Sequence, residues 1–391
     1  MPTAEMETMS VESVTAIVEH DGNTPLDVEE EQDSDLQDID RPWNPESIRV
    51  STKSFSLRNM LDSIDEESLD LAPDFQRLRV WKPVQKAQLI ESVLLQIPLP
   101  AFYFAEDIDG TLRVIDGVQR LSTIHDFVRG GPKGSGGFPL VGVEYLTDVV
   151  GKRFGDLPAL WRRRLNNTQI VVNVIDPSTP RPVMYDIFRR INTGGTPLNA
   201  QEIRHCMSDR RSRDFLRGLT EVPEFAIATG GALERQRRMI DHEVALRFCA
   251  FWLMGEQDYV PPMDRFLQRA TEMLDDPRQV PDALLREIEK KFIIGLRTSI
   301  ETFGDRAFRK WPLGDDRRNP FNRALFESWS VELARSGPVE ARDAIAKIQR
   351  GARLAMRDQP EYIAAVTAST GDGMRVRNRF LMTRSIIESA R

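Results

Sequence analysis

The sequence predicts an α+β protein: a mixed α/β segment followed by an all-helical one. Strand-like runs at 101–105, 111–115 and 168–175 alternate with helical periods before residue 182. After residue 182 every apolar pattern has the helical period and no strand is convincing. The chain of 391 residues is long enough for two cores. The resulting division is an acidic disordered tail over 1–45, a mixed α/β domain over 46–180 and a helical domain over 181–391.

In chain order, regular structure is expected from near Trp43–Ile48. A short helix over Phe55–Ile64 precedes a strand at Ser68–Ala72, ahead of Pro73. Apolar residues at 84, 87, 89–90 and 93–95 give an amphipathic helix over Val84–Gln96, which Pro98 and Pro100 end. Ala101–Ala105 and Thr111–Ile115 flank Asp107-Ile108-Asp109-Gly110 and read as a hairpin with glycine at the turn. A helix over Val118–Val128 follows, then a glycine-rich flexible loop over 130–137, a helix over Phe154–Leu165 and a strand over Thr168–Ile175. Beyond Pro177–Pro182, helical periods cover Pro182–Ile191, Asn199–Ser208, Ser212–Leu219, His242–Met254, Asp264–Leu274, Asp282–Phe303, Pro320–Ser336 and Pro338–Leu354.

Charge is unevenly spread. Residues 1–45 carry thirteen acids and one base, so the rest of the chain is net basic despite an overall charge of −7. Residues 151–250 hold 17 Lys/Arg against 11 Asp/Glu. An acidic tail on a basic body either competes with a polyanion for the basic surface or simply solvates the chain. No apolar run approaches the ~20 residues of a membrane span, and the N-terminus has no basic-then-apolar leader. Cys206 and Cys249 have neither zinc spacing nor a disulfide framework and read as buried thiols, so the cytoplasm is the expected compartment. Four scattered histidines make no zinc set, and there is no Walker loop and no Gly-x-Ser-x-Gly elbow.

Four constellations carry chemistry. In Val114-Ile115-Asp116-Gly117-Val118-Gln119-Arg120 a strand meets a helix at a glycine, which gathers backbone N–H groups, a helix dipole, an amide and a guanidinium. That spot suits a phosphate, and Asp116 beside it suits a divalent metal or a water. Asp as cap and Gly as turn relief is the alternative reading. Pro73-Asp74-Phe75-Gln76-Arg77, with Arg79 and Trp81, suits phosphate or base contacts, or else anchors Phe75 and Trp81 in the core with arginines paired to acids such as Glu91. Phe188–Glu202 joins two helices through Gly194-Gly195, with Asn199 and Glu202 as a capping box and the glycines as an anion nest. Asp241, Glu243 and Arg247 read as a buried ion-pair network fixing the helical half against the first. His125 reads as a packed histidine on an apolar face.

Taken in order, PDFQRLRVW (73–81), PLP (98–100), VIDGVQRLSTI (114–124), IFRRINTGGTPLNAQEIR (187–204) and DHEVALRF (241–248) resemble the N-terminal domain of GmrSD-type, modification-dependent restriction endonucleases, whose fold is similar to ParB and sulfiredoxin. The resemblance covers about residues 50–250. It implies nucleoside-triphosphate binding with Mg2+, hydrolysis as a further step, and DNA targeting in anti-phage defence. Matching positions make Asp116, Gln119 and Arg120 the candidate catalytic residues, with Asp116 also the metal ligand. Gln76, Arg77, Gly117, Asn192 and Thr193 become the candidate nucleotide-binding residues. Val118 stands where the family usually has Gln, which removes a polar contact from the signature. No His-Asn-His nuclease signature is found, and no histidine follows residue 250, so a separate nuclease or modification enzyme is expected as partner alongside DNA. A homo-oligomer is a further candidate assembly. The competing functions are a nucleotide-independent DNA- or partner-binding module, and a nuclease using Asp116 with Asp74.

Overall fold

The computed structural model describes residues 18–21, 24–30, 48–71, 81–107, 109–130, 137–191, 199–233, 239–339 and 342–391. The first described elements lie inside the stretch expected to be a disordered tail. Strands β1 (Val18–Asp21) and β2 (Thr24–Glu29) pair antiparallel, which corrects the expectation for these residues. Acidic composition argues for solvation, but Val28 is fully buried and outweighs it locally.

The chain divides into two compact units. The sheet unit comprises residues 39–213 and 236–240, so it reaches beyond the expected boundary at 180 and takes in the first two helices after it. Its elements are β3 (Val50–Ser56), α1 (Leu57–Asp65), β4 (Leu69–Asp70), α2 (Pro83–Leu94), β5 (Phe102–Glu106), β6 (Leu112–Asp116), α3 (Val118–Arg129), α4 (Ala159–Asn167), β7 (Gln169–Ile175), α5 (Arg181–Ile191) and α6 (Ala200–Met207). The strand order is β3-β7-β5-β6-β4. The β5–β6 hairpin and the β3–β7 pair are antiparallel, whereas β5–β7 and β4–β6 are parallel. The architecture is the mixed α+β one expected.

Side-chain alternation assigns the two faces. Phe102, Phe104, Val114, Ile170, Val172 and Val174 pack with α1, α2, α3 and α4, including Leu61, Ile90, Leu121, Ile124, Phe127 and Leu165. The opposite side chains Ala105, Ile115 and Ile175 pack on Tyr185 and Phe188 of α5 and Ile203 and Cys206 of α6. The expected helix over 154–165 is a single 3-10 turn (Phe154–Asp156) followed by α4, because Pro158 separates them.

The second unit holds residues 1–38, 214–235 and 241–391. A helix at Arg210–Glu221 (α7) runs from one unit into the other. The second unit's elements continue with α8 (Pro223–Thr229), α9 (Ile240–Met254), α10 (Met263–Asp275), α11 (Asp282–Phe303), α12 (Arg323–Ser336), α13 (Arg342–Asp358), α14 (Pro360–Ala365) and α15 (Gly373–Ala390). Phe251 packs on Phe266 and Phe380 with ring centroids 4.9 and 4.8 Å apart, and Phe303 packs on Trp329 at 4.8 Å. Helix α12 is buried along nearly its whole length, including Glu327 and Glu332. Each carboxylate is neutralised. Glu327 bonds Arg379 Nε at 2.8 Å and Arg247 Nη1 at 3.1 Å. Glu332, with Glu256, meets Arg335 and Arg384. The ion-pair network expected at Glu243 and Arg247 is thus present, with its partner Glu327 inside the helical unit. Asp241 instead pairs with His242 at 3.0 Å. No helix among the described residues is long and apolar enough to cross a membrane.

In the sheet unit a single carboxylate organises the segment after α3. Glu91 of α2 is 4 % exposed and accepts the backbone N–H groups of Glu144, Tyr145 and Leu146 at 2.9, 2.7 and 2.7 Å. Burial raises its pKa, but the three donors outweigh that and hold the carboxyl below the usual glutamate range. Its contribution is therefore complete above about pH 4.5 and is lost as pH falls through the lowered native value. Glu91→Gln is expected to destabilise the protein by about 2 kcal/mol in urea unfolding at pH 7. The difference from wild type should shrink below pH 4.

Candidate functional site

The strand-to-helix junction is built by three residues around an aromatic ring. Gly117 sits at φ +99°, a left-handed conformation that relieves the turn from β6 into α3. A Cβ there would lie 2.2 Å from Phe102 Cδ1, so Gly117 is required by packing as well as by backbone geometry. The first intrahelical bond runs from Leu121 N–H to Gly117 O at 2.9 Å. The N–H groups of Val118, Gln119 and Arg120 accordingly point out of the N-terminal end of the helix, where the dipole is positive.

Arg120 folds back over this turn. Its guanidinium donates to Asp116 Oδ2 at 2.7 Å and to the carbonyls of Pro100 and Ala101, and it lies 4.3 Å from the Phe102 ring centroid. Burial pushes its pKa down and the Asp116 carboxylate opposes that. The side chain is 13 % exposed, against 36 % for Asp116. Arg120 therefore positions Asp116 and the turn, with its two terminal nitrogens committed to protein acceptors. Gln119 is half-buried beside it. Val118 is 5 % exposed and packs into the core with Leu121, Ile124 and Phe127. The position that carries Gln in the resembled family is thus a core position in this chain.

The far end of α3 is tied to α1. Arg129 pairs with Asp62 and Asp65 at 2.5 and 2.9 Å, and His125 Nε2 meets Asp65 Oδ1 at 2.8 Å. The His125 hydrogen bond is the largest of several contacts holding Asp65 below the usual range. His125 is thus largely buried as expected and also makes a polar contact with Asp65, which stands opposite it on α1. Both ends of the helix are fixed, which aims its N-terminus.

Of the predicted site, Asp116, Gly117, Gln119 and Arg120 come together at this turn. Gln76, Arg77, Asn192 and Thr193, together with Asp74, lie outside the described residues. The capping box of the third constellation is present: Asn199 and Glu202 exchange bonds of 2.7 and 2.8 Å. Cys206 and Cys249 are buried thiols as expected, and burial pushes Cys206 up to about 12. Among the described residues no three His, Cys, Asp or Glu side chains converge as a metal set. Asp116, with one oxygen on Arg120, is a single carboxylate and does not by itself make a metal centre.

Sequence reasoning missed two contributors. Phe102 is the ring beneath Gly117 and Arg120, and within an apolar strand it carries no signal of its own. Arg113 was legible as a lone charge inside Leu-Arg-Val-Ile: it is buried and donates to the carbonyls of Cys206 and Ser208 at 3.1 and 2.8 Å and to Asp107 at 2.7 Å. It thereby ties β6, the strand that delivers Asp116, to the end of α6. Burial raises the Asp107 pKa, and Arg113 opposes that rise.

Residues 57–207 match the GmrSD restriction endonuclease, N-terminal domain. The match runs from the first residue of α1 to the last of α6 and contains the whole junction. No curated protein matches the chain. The matched segment is thus similar to that restriction-endonuclease domain, and the helical unit lies wholly outside it.

Because Gly117 answers to both backbone and ring, Gly117→Ala is expected to cost about 2–4 kcal/mol, measured by urea unfolding. Adding Phe102→Leu should recover the part due to collision and leave the backbone part.

Proposed function

We propose that this protein is the nucleoside-triphosphate-binding component of a DNA-restriction system in phage defence, with the polyphosphate seated at the N-terminus of α3. The observation that carries this reading is the Gly117 junction inside the matched segment, where the N-terminus of α3 follows directly on Asp116, a carboxylate already paired with Arg120. Mg2+ would be held by Asp116 together with the phosphates and would supply charge neutralisation there. Gln119 contacts the nucleotide, and Arg120 positions the turn. Gln76, Arg77, Asn192 and Thr193 complete the binding residues. DNA is the macromolecular partner, supported by the basic excess over 151–250 and by exposed Arg162 and Arg163 on α4. Cutting belongs to another chain.

A second reading rests on a specific observation. Arg120 has its donors committed inside the protein and Val118 is a core residue, which favours a domain that binds DNA or a partner without nucleotide.

A thermal-shift panel of ATP, GTP, CTP and UTP with Mg2+ separates the two. Ligand at ~100 times its Kd should add about 2.7 kcal/mol of stability. Gln119→Ala should weaken that shift while leaving the unliganded melting temperature within a degree or so. If no nucleotide moves the transition, the second reading stands. Phosphate release from the nucleotide that binds then distinguishes turnover from binding alone.

A further inference from the structure

The acidic strand at the N-terminus occupies a built cationic groove in the helical unit. Backbone bonds lay it in place: Glu29 N–H donates to Phe321 O at 2.8 Å and Phe321 N–H to Asp27 O at 2.9 Å, with Val28 fully buried between. Asp27 takes Arg309 in a two-point contact of 3.0 and 2.8 Å and lies 3.4 Å from Arg318. Glu29 takes Lys310 at 2.5 Å and Asn322 at 2.9 Å.

Arg309 and Arg318 are held by backbone carbonyls of the helices and loops as well as by the strand. Arg309 also donates to the carbonyls of Asn319 and Thr229 at 2.7 and 3.1 Å, and Arg318 donates to Gly230 O at 3.4 Å. Thr229 and Gly230 form the C-terminal end of α8, where carbonyls and dipole favour positive charge. A Cβ on Gly230 would lie 2.6 Å from Arg318 Nη2, so glycine there also makes room for that guanidinium. With the strand removed, Arg309 and Arg318 would keep their orientation and face outward without a counter-ion, which is strongly unfavourable for a group as buried as Arg309.

We propose that this groove is a binding site for the phosphate backbone of nucleic acid, and that Asp27-Val28-Glu29 occupies it in place of phosphates until DNA displaces it. Three features point to that ligand. A planar guanidinium takes a phosphate in the same two-point geometry it uses for the Asp27 carboxylate. Asp27 and Glu29 are two strand residues apart, a backbone rise of roughly 6.7 Å that is comparable with the spacing of successive phosphates along one nucleic-acid strand. Asp27 and Arg318 are 41 % and 43 % exposed, so one side of the groove is open to an incoming polyanion. The inference rests on the DNA part of the function proposed above and is independent of the nucleotide site.

The test is fluorescence anisotropy of labelled duplex DNA with the full chain, comparing wild type and D27N/E29Q at several salt concentrations. The proposal expects the variant to bind about tenfold tighter, with a log–log salt slope steeper by about two. Adding Lys310→Ala and Arg318→Ala should abolish the gain. In the unmutated chain, excess DNA should speed cleavage after Glu29–Glu31 by a glutamate-specific protease, a readout that does not depend on how well the variant folds. Equal DNA affinity of wild type and variant, with no change in cleavage, overturns the groove and leaves DNA binding elsewhere standing. Absence of salt-sensitive binding by every form overturns both. Displacement by polyglutamate as effective as by DNA at equal charge overturns nucleic acid as the ligand in favour of an acidic peptide.

Discussion

The contact between Arg120 and Asp116, laid over the Phe102 ring, is the constraint on which the candidate site depends. It closes the β6–α3 turn from outside while Gly117 closes it from within, and it presents Asp116 beside the first-turn amides as half of a neutral pair. An isolated carboxylate at that position would repel a polyphosphate. Paired with Arg120, it can sit beside one, and its second oxygen can face a cation. The same contact makes Arg120 a positioning group and leaves the N-terminus of α3 as the place where the proposed anion would sit.

The sequence revealed long-period features and hid those that depend on a partner far along the chain. Helix α11 was legible to the residue, because 22 positions of helical period leave little freedom at its ends. Strand β3 was not legible, since Val50–Ser56 is an exposed edge whose polar side chains show no buried alternation. Helix α15 was hidden for a related reason: apolar and basic residues surround its axis because Arg379 and Arg384 reach the buried Glu327 and Glu332 of α12. The hairpin of β1 and β2 was masked by acidity, and only its partners Arg309, Lys310 and Phe321 show why it is folded. At the site, the order Asp116-Gly117-x-Gln119-Arg120 was readable as a turn. Which way Arg120 points was not, because its acceptors at Pro100 and Ala101 belong to another segment.

Charge in the helical unit follows one rule throughout. Every buried carboxylate of α12 has two arginines, and the groove of Arg309 and Arg318 has carboxylates from the N-terminal strand. Buried charge of this kind contributes little net stability, but removing one partner is costly. That asymmetry makes the groove selective for anions and makes its present occupant replaceable by another anion.

The most direct measurement is nuclear magnetic resonance of backbone amides in the full chain while a nucleotide with Mg2+ is titrated. The account predicts that the Val118, Gln119 and Arg120 amide signals shift progressively and saturate together, with the Gly117 signal moving alongside them. Saturable nucleotide binding that leaves those four signals in place would contradict it.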